Sequence, residues 1–236
     1  GSVAVNADGS ITYVPDSNYS NPSSEDTFTY TTTNGPDISV VPVVVQVKPV
    51  ADAPDLEDDK VLETPEDTPI SLALEVPLVT DNTQTEGATS TDYPERLGEI
   101  TVSFSPTLGT DYGSGTDAFN DFTNGIKLLN GANELTPDAD GKFHFVIVEG
   151  VNDDWHITSG LPAAETGNGV YYITEAQYQA LTVLPPVDRH ENFEVVVSVD
   201  SYEVDVNGEP LPGIDPANST QTIKVDVQAV PDAPEL

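Results

Sequence analysis

Residues 50–56 read Val-Ala-Asp-Ala-Pro-Asp-Leu, and residues 230–236 read Val-Pro-Asp-Ala-Pro-Glu-Leu, 180 positions later. Each copy follows a segment in which apolar residues alternate with others, Val43 to Val47 before the first copy and Ile223 to Val227 before the second. Such alternation predicts a half-buried β-strand. A proline ends a strand, because it has no backbone N–H and holds the preceding residue extended. The repeat therefore predicts a boundary between modules that the chain uses twice.

The repeat divides the 236 residues into four parts. We predict that residues 1–50 are the C-terminal part of one β-sandwich module, that residues 51–56 are a linker, that residues 57–229 are a complete, loop-extended module, and that residues 230–236 begin the next linker. The first part lacks the opening half of its module. Two interpretations of this remain open: the chain starts inside a module, or an insertion upstream splits that module.

The rest of the chain has the pattern of an all-β protein, with short β-branched and aromatic runs interrupted by Gly, Pro, Asn and Asp. Residues 2–14 predict a hairpin that turns at Asp8-Gly9. A single helix is predicted from Glu175 to Leu181, capped by Thr174. Strands this short favour a sandwich over a parallel α/β sheet. The other predicted strands are 27–31, 38–47, 69–74, 101–105, 143–148, 170–173, 193–199 and 221–229.

The composition excludes several classes of function. The chain has 41 acidic and 7 basic residues, a formal net charge of −34, so nucleic acid and anionic membrane surfaces would repel it. No apolar run approaches the roughly 18 residues of a spanning helix, and the absence of cysteine excludes disulfides and thiolate catalysis. The sequence has no nucleophile elbow, no phosphate-binding loop and no zinc-type histidine spacing. We therefore predict that the protein is not an enzyme, binds no nucleic acid and does not insert into a membrane.

Acidic side chains are concentrated beside the first copy of the repeat, because residues 51–100 carry fourteen of the 41. One interpretation is a solvated surface that keeps the linker soluble. The other is a calcium site, since hard divalent cations take six to eight oxygen ligands from carboxylates, carbonyls and water. The turns around Asp81, Asp92 and Asp200 to Glu203 could fold back toward the same end. The residues in and just after the repeat are Asp52, Asp55, Glu57, Asp58, Asp59, Glu66 and Asp67.

Several blocks of the sequence resemble a known family. Residues 1–19, Gly-Ser-Val-Ala-Val-Asn-Ala-Asp-Gly-Ser-Ile-Thr-Tyr-Val-Pro-Asp-Ser-Asn-Tyr, followed by Asp-Thr-Phe-Thr-Tyr-Thr at 26–31, resemble the second half of a bacterial cadherin-like (VCBS-type) repeat. The complete module resembles modules of giant RTX adhesins. The blocks that carry this second resemblance are Glu-Asp-Thr-Pro-Ile at 66–70, residues 170–186, Phe-Glu-Val-Val-Val-Ser-Val at 193–199 and the closing Asp-Ala-Pro.

The resemblance implies tandem Ig-like or cadherin-like Greek-key β-sandwiches joined by calcium-binding linkers. It implies a calcium-stiffened extender segment of a large secreted adhesin on the bacterial cell surface, which mediates cell adhesion or biofilm formation. The expected partners are neighbouring modules of the same chain, and the segment is expected to be monomeric. The ligands that the resemblance implies are Asp52, Glu66, Asp67, Asp81, Asp92 and Glu203, with Asp232 serving the next junction.

An alternative function follows from the length of the complete module, which exceeds the roughly 100 residues of an Ig-like sandwich. The excess lies around residues 83–98, 106–141 and 203–220. Long loops on a rigid scaffold are common binding surfaces, so the module could bind a peptide or glycan on another cell through residues 110–133. The other interpretation of this loop is a solvated decoration.

Overall fold

The computed structural model describes residues 1–17, 19–20, 25–79, 94–107, 122–148, 156–163, 169–205 and 207–231. Its regular structure is almost entirely β, as the sequence predicts, and no helix among these residues is long and apolar enough to cross a membrane. A short helix, α1 (Glu175–Gln179), lies late in the chain. The strands are β1 (Ser2–Val5), β2 (Ile11–Val14), β3 (Asp26–Asn34), β4 (Asp37–Val45), β5 (Lys60–Pro65), β6 (Ile70–Ser71), β7 (Glu95–Pro106), β8 (Lys127–Asn130), β9 (Asn133–Glu134), β10 (Phe143–Ile147), β11 (Val170–Ile173), β12 (Leu181–Leu184), β13 (Phe193–Glu203) and β14 (Ala217–Gln228).

The first part of the chain folds into two antiparallel hairpins, β1 with β2 and β3 with β4. The first hairpin turns at the predicted place, where Gly9 has a φ of 84° and donates its amide to Asn6. Tyr13 joins the two hairpins, because its ring stacks on Phe28 and its hydroxyl donates to Asp26 at 2.6 Å. That hydrogen bond to a carboxylate raises the pKa of Tyr13 to about 12.

The remaining strands form two sheets that share one core. The larger sheet has the order β11-β10-β7-β13-β14-β5, and the smaller has the order β6-β12-β8-β9. Neighbouring strands are antiparallel except for two pairs, β10 with β11 and β14 with β5, which are parallel. Buried apolar residues from both sheets lie in a single cluster, which gives the module its sandwich-like, two-layer character.

The centre of the larger sheet follows directly from sequence alternation. In β13, Phe193, Val195 and Val197 are fully buried, whereas the residues between them face outward. The Phe193 ring meets Phe104 and Phe122 edge-on, with centroids 6.0 Å away in both cases. Each such side chain contributes roughly 1.5–3 kcal/mol through burial, so β13 and its neighbours β7 and β14 anchor the module.

The predicted strands at 27–31, 38–47, 101–105, 143–148, 170–173, 193–199 and 221–229 all coincide with strands in the structure. The predicted helix is also present, with Thr174 as its cap, but it ends at Gln179 because Leu181 already belongs to β12. The predicted strand at 69–74 is wrong beyond Ser71. Ala73 has a φ of 46°, and this positive φ turns the chain out of the sheet. The Ala73 carbonyl accepts a hydrogen bond from the Lys60 ammonium at 2.6 Å.

The module has two distinct ends, which we name by the path of the chain. At the entry end, residues 51–54 meet the start of β14 and the end of β13. At the exit end, β14 finishes and residues 229–231 leave. Because β14 spans twelve residues, the two ends lie roughly 35 Å apart along the strand.

Two tyrosines, one fully buried and one partly buried, allow a test of the core. Tyr178 of α1 is completely buried, and its hydroxyl has no hydrogen-bond partner within the described part of the chain. Burying an unpaired hydroxyl costs free energy. We therefore expect Tyr178→Phe to raise the free energy of unfolding by about 1 kcal/mol, a rise of about 2–4 °C in Tm, measured by thermal and urea unfolding.

The matched control is Tyr171→Phe. The Tyr171 hydroxyl donates to the Thr136 carbonyl at 2.8 Å and accepts from the Thr136 amide at 2.6 Å, so removing it should lower stability by about 1 kcal/mol. Loss of stability in both variants would show that the Tyr178 hydroxyl contributes a favourable interaction after all.

Candidate functional site

Two glutamates are buried side by side at the entry end. Glu95 begins β7 and Glu203 ends β13, and the two are direct partners in the strand register. They are only 2% and 8% exposed, and the Oε2 atom of each is buried. Side chains of paired residues lie on the same face about 5 Å apart, and like charges in that position repel. Removing both from water adds a desolvation cost.

The linker closes over this pair. The Asp52 amide donates to Glu95 Oε1, and the Ser201 hydroxyl donates to the Asp52 carbonyl. Further along, the Ser219 hydroxyl donates to the Pro54 carbonyl at 2.5 Å. Ala51 is buried in the same place. Residues 51–54 are therefore packed into the end of the module rather than suspended between modules.

The entry end offers the ligand types that a hard divalent cation prefers. Glu95 and Glu203 supply carboxylate oxygens, and Asp52, whose side chain is exposed, carries a third carboxylate on the linker segment beside them. Glu95 Oε1 already accepts the Asp52 amide, so a cation would use the remaining carboxylate oxygens. Within the described ranges, no group of three or more His, Asp or Glu side chains is already arranged to hold a metal ion. Binding would therefore require the side chains to converge.

The exit end has its own buried carboxylate. Glu66 follows β5, is 9% exposed, and accepts the Val230 amide on Oε1 at 2.5 Å, while its own amide donates to the Gln228 carbonyl at 2.9 Å. Asp67 next to it has a φ of 59° and accepts the Asp188 amide at 3.1 Å. Glu66 therefore contacts the chain as it leaves the module, whereas Asp67 contacts the turn before β13 at Asp188.

The sequence-predicted ligands are thus divided between the two ends. Asp52 and Glu203 lie at the entry end, whereas Glu66 and Asp67 lie at the exit end. The expectation that all four serve one junction was wrong, because β5 runs parallel to β14 and carries the Glu-Asp pair away from the linker that precedes it. Residues Asp81, Asp92 and Asp232 lie outside the described part of the chain.

Asp55 lies beside an exposed groove and not in the buried pair. Its backbone forms two hydrogen bonds with Leu78, 2.7 and 3.0 Å long, and its side chain is exposed. The groove is lined by residues 54–59 together with Ser219 and Thr220. Of its carboxylates, Glu57 is held by the Lys60 ammonium at 2.6 Å, and this hydrogen bond lowers the pKa of Glu57 despite partial burial.

Glu95 is the residue that sequence reasoning missed. The sequence predicts a strand only from residue 101, so Glu95 falls outside it and near the turn around Asp92. In the structure β7 starts six residues earlier, and a bulge between Val199 and Ser201 keeps Glu95 in register with Glu203. The signal available in the sequence was the run Leu97, Ile100 and Val102, which continues the buried face of the strand toward its start.

A second concave region opens between the two sheets. Its volume is about 810 Å³, and it combines apolar and charged side chains. It borders Thr123 and Phe104, close to where residues 107 and 122 flank the long loop predicted as a binding surface. The lining includes Phe104, Ile126, Glu134, Leu135, Asp140, Lys142 and Phe143.

Two histidines near these sites have opposite environments. His144 lies between Asp138 and Glu99, 3.0 Å from each carboxylate. Burial opposes its protonation, but the hydrogen bond to Asp138 and the charge of Glu99 outweigh burial, so the pKa of His144 is raised. His156 instead accepts the Ile147 amide on Nε2 at 3.0 Å, and its Nδ1 lies 2.7 Å from the Gly98 carbonyl. Burial lowers the pKa of His156.

Comparison of the chain with protein families, with curated proteins and with solved structures finds no match. What is established is the class: an all-β protein with a sandwich-like module. Buried carboxylates contact the chain where it enters and where it leaves this module.

The two histidines are expected to give opposite pH dependences of stability. His144, with a raised pKa, stabilises the fold below the unfolded value of about 6.5, and this contribution is lost as pH rises through the folded pKa. His156, with a lowered pKa, stabilises the fold above about 6.5, and this contribution is lost as pH falls from that value through the lower folded pKa.

Replacing each histidine by glutamine separates the two effects. His144→Gln should reduce the free energy of unfolding more at roughly pH 5.5 than at roughly pH 8, and His156→Gln should do the reverse. Urea unfolding at the two pH values measures both. Parallel pH profiles for the two variants would contradict the assigned environments.

Proposed function

We propose that this chain is a calcium-stiffened extender segment of a large secreted bacterial surface adhesin, which mediates cell adhesion or biofilm formation. Its modules are Ig-like or cadherin-like sandwiches in tandem. The observation that carries the proposal is the buried Glu95–Glu203 pair covered by the Asp52 segment of the linker. A cation there neutralises the pair and ties the linker to the module at the same time.

The topology supports a tandem sandwich. The first strand of the module, β5, pairs in parallel with the last, β14, at one edge of the larger sheet. This arrangement places the point of entry and the point of exit at opposite ends. Modules with that layout join end to end into a fibre, and the Asp-Ala-Pro repeat recurs where a second junction would lie.

The choice of calcium rests on ligand chemistry and on charge. Glutamate and aspartate carboxylates with backbone carbonyls match the oxygen-rich, flexible coordination of calcium better than the strict octahedron of magnesium. The chain carries 41 acidic residues against 7 basic ones, so its basic side chains are too few to neutralise all of its carboxylates. An ion that binds only the folded junction stabilises it by about 2.7 kcal/mol at a hundred times its Kd.

Replacing Glu203 by glutamine tests the site. The variant removes one of the two facing carboxylates that would hold the ion. Calcium should raise the Tm of the wild type by several degrees and leave the Tm of Glu203→Gln nearly unchanged. Differential scanning calorimetry in EDTA, calcium and magnesium measures these shifts.

Glu194→Gln is the matched control, because Glu194 lies on the same strand but faces outward, opposite Lys224 and Ser105. It should keep the full calcium response. If calcium does not raise the Tm of the wild type, the calcium role is contradicted. If calcium raises the Tm of Glu203→Gln as much as that of the wild type, the ion binds elsewhere.

The concave region between the two sheets, which Lys142 helps to line, favours a second candidate function, binding of a peptide or glycan on another cell. Its mixture of apolar side chains with Glu134, Asp140 and Lys142 is typical of sites that orient a polar ligand on an apolar floor. Glycan and peptide arrays probed in calcium should show a hit that Lys142→Glu weakens at least tenfold. If neither array shows a hit, the binding function is contradicted and the extender function is the one that remains.

A further inference from the structure

A glutamate at the exit end holds the chain as it leaves the module. β5 and β14 are parallel, and their backbone ladder ends where the Glu66 amide donates to the Gln228 carbonyl. The chain then turns away at Asp67, which has a positive φ. The Glu66 side chain takes the place of the missing backbone partner and accepts the Val230 amide at 2.5 Å.

A different glutamate holds the linker at the entry end. Glu95 accepts the amide of Asp52, and Ser201 donates to the carbonyl of the same residue. Both glutamates are at least nine-tenths buried, so water competes weakly for these hydrogen bonds. Each end of the module therefore binds one backbone amide of a linker through a buried carboxylate.

The sequence repeat places these two contacts on one linker. Val230 corresponds to Val50, and Asp232 corresponds to Asp52. The amide bound at an exit end therefore belongs to the residue two positions before the amide bound at an entry end. Alternate residues of an extended chain project their amides to the same side, about 6.6 Å apart.

The first copy of the repeat can be compared with the second. Val50, which corresponds to Val230, is 73% exposed. Residues 1–49 contain one glutamate, Glu25, which lies just before β3.

We propose that both neighbouring modules hold each linker, an arrangement that we call the grip: a glutamate in the place of Glu66 in the preceding module binds the valine amide, and Glu95 of the following module binds the aspartate amide. The grip fixes the angle between modules through protein hydrogen bonds before any calcium binds. This inference rests on the tandem arrangement of the proposed function, but not on calcium.

The test joins two complete modules. The full chain is followed directly by a second copy of residues 57–231, so that residues 230–236 form the linker between the copies. Because the protein has no cysteine, Val61→Cys in both copies provides two labelling positions, and Val61 is 59% exposed. Double electron–electron resonance then measures the distribution of distances between the two spin labels, in EDTA.

The wild-type junction should give a narrow distribution without calcium. Glu66→Ala in the first copy should widen it at least twofold, because the Val230 amide loses its acceptor. Glu66→Gln retains an amide oxygen in the same place and should keep the distribution narrow. Glu63→Ala is the control, since Glu63 is exposed on the same strand and should change nothing.

The outcomes separate the grip from the calcium proposal. If Glu66→Ala is as narrow as the wild type, or Glu66→Gln is as wide as Glu66→Ala, the grip is overturned, whatever calcium does. If the grip holds in EDTA but calcium changes neither the width nor the Tm, the calcium role fails and the grip stands. Thermal unfolding of each variant confirms that both modules remain folded.

Discussion

The burial of two facing carboxyl side chains is the constraint on which the rest of the molecule depends. Glu95 and Glu203 lie opposite each other where the sheet meets the linker, and the low dielectric of a buried site strengthens their repulsion. The linker reduces this cost by bringing the Asp52 amide onto Glu95. The position of the linker is therefore coupled to the burial of the pair. Glu57 is held by the Lys60 ammonium instead of a backbone amide.

The two ends of the module use the same chemistry in different places. At each end a buried glutamate accepts a backbone amide from the chain outside the sheet, Glu95 from Asp52 and Glu66 from Val230. Residues 51–54 are therefore hydrogen-bonded to the folded sheet, and the proline of the Asp-Ala-Pro sequence holds the residue before it extended.

Much of the fold could be predicted from the sequence, because β13 and β14 alternate strictly and the first hairpin carries Asp8-Gly9 at its turn. Strand β12 could not, since its four residues directly follow a helix of five and continue its apolar pattern. The candidate site was only half predictable. Acidic clustering pointed to Asp52 and Glu203. The position of Glu95 opposite Glu203 depends on a bulge between Val199 and Ser201. The separation of Glu66 from Asp52 depends on the parallel pairing of β5 with β14. Both are tertiary features without a local signal.

The parallel pairing of β5 with β14 has a mechanical consequence. In the proposed fibre, tension would pull the module toward its entry end through β5 and toward its exit end through β14, because the chain enters before the first strand and leaves after the last. The two strands are then loaded in shear: their six registered residue pairs, Lys60 with Ile223 through Pro65 with Gln228, must slide past one another together. Hydrogen bonds loaded side by side share the force, whereas bonds at a hairpin end would open one after another. The edge strand β5 and its neighbour β14 are thus the strands that would carry the load.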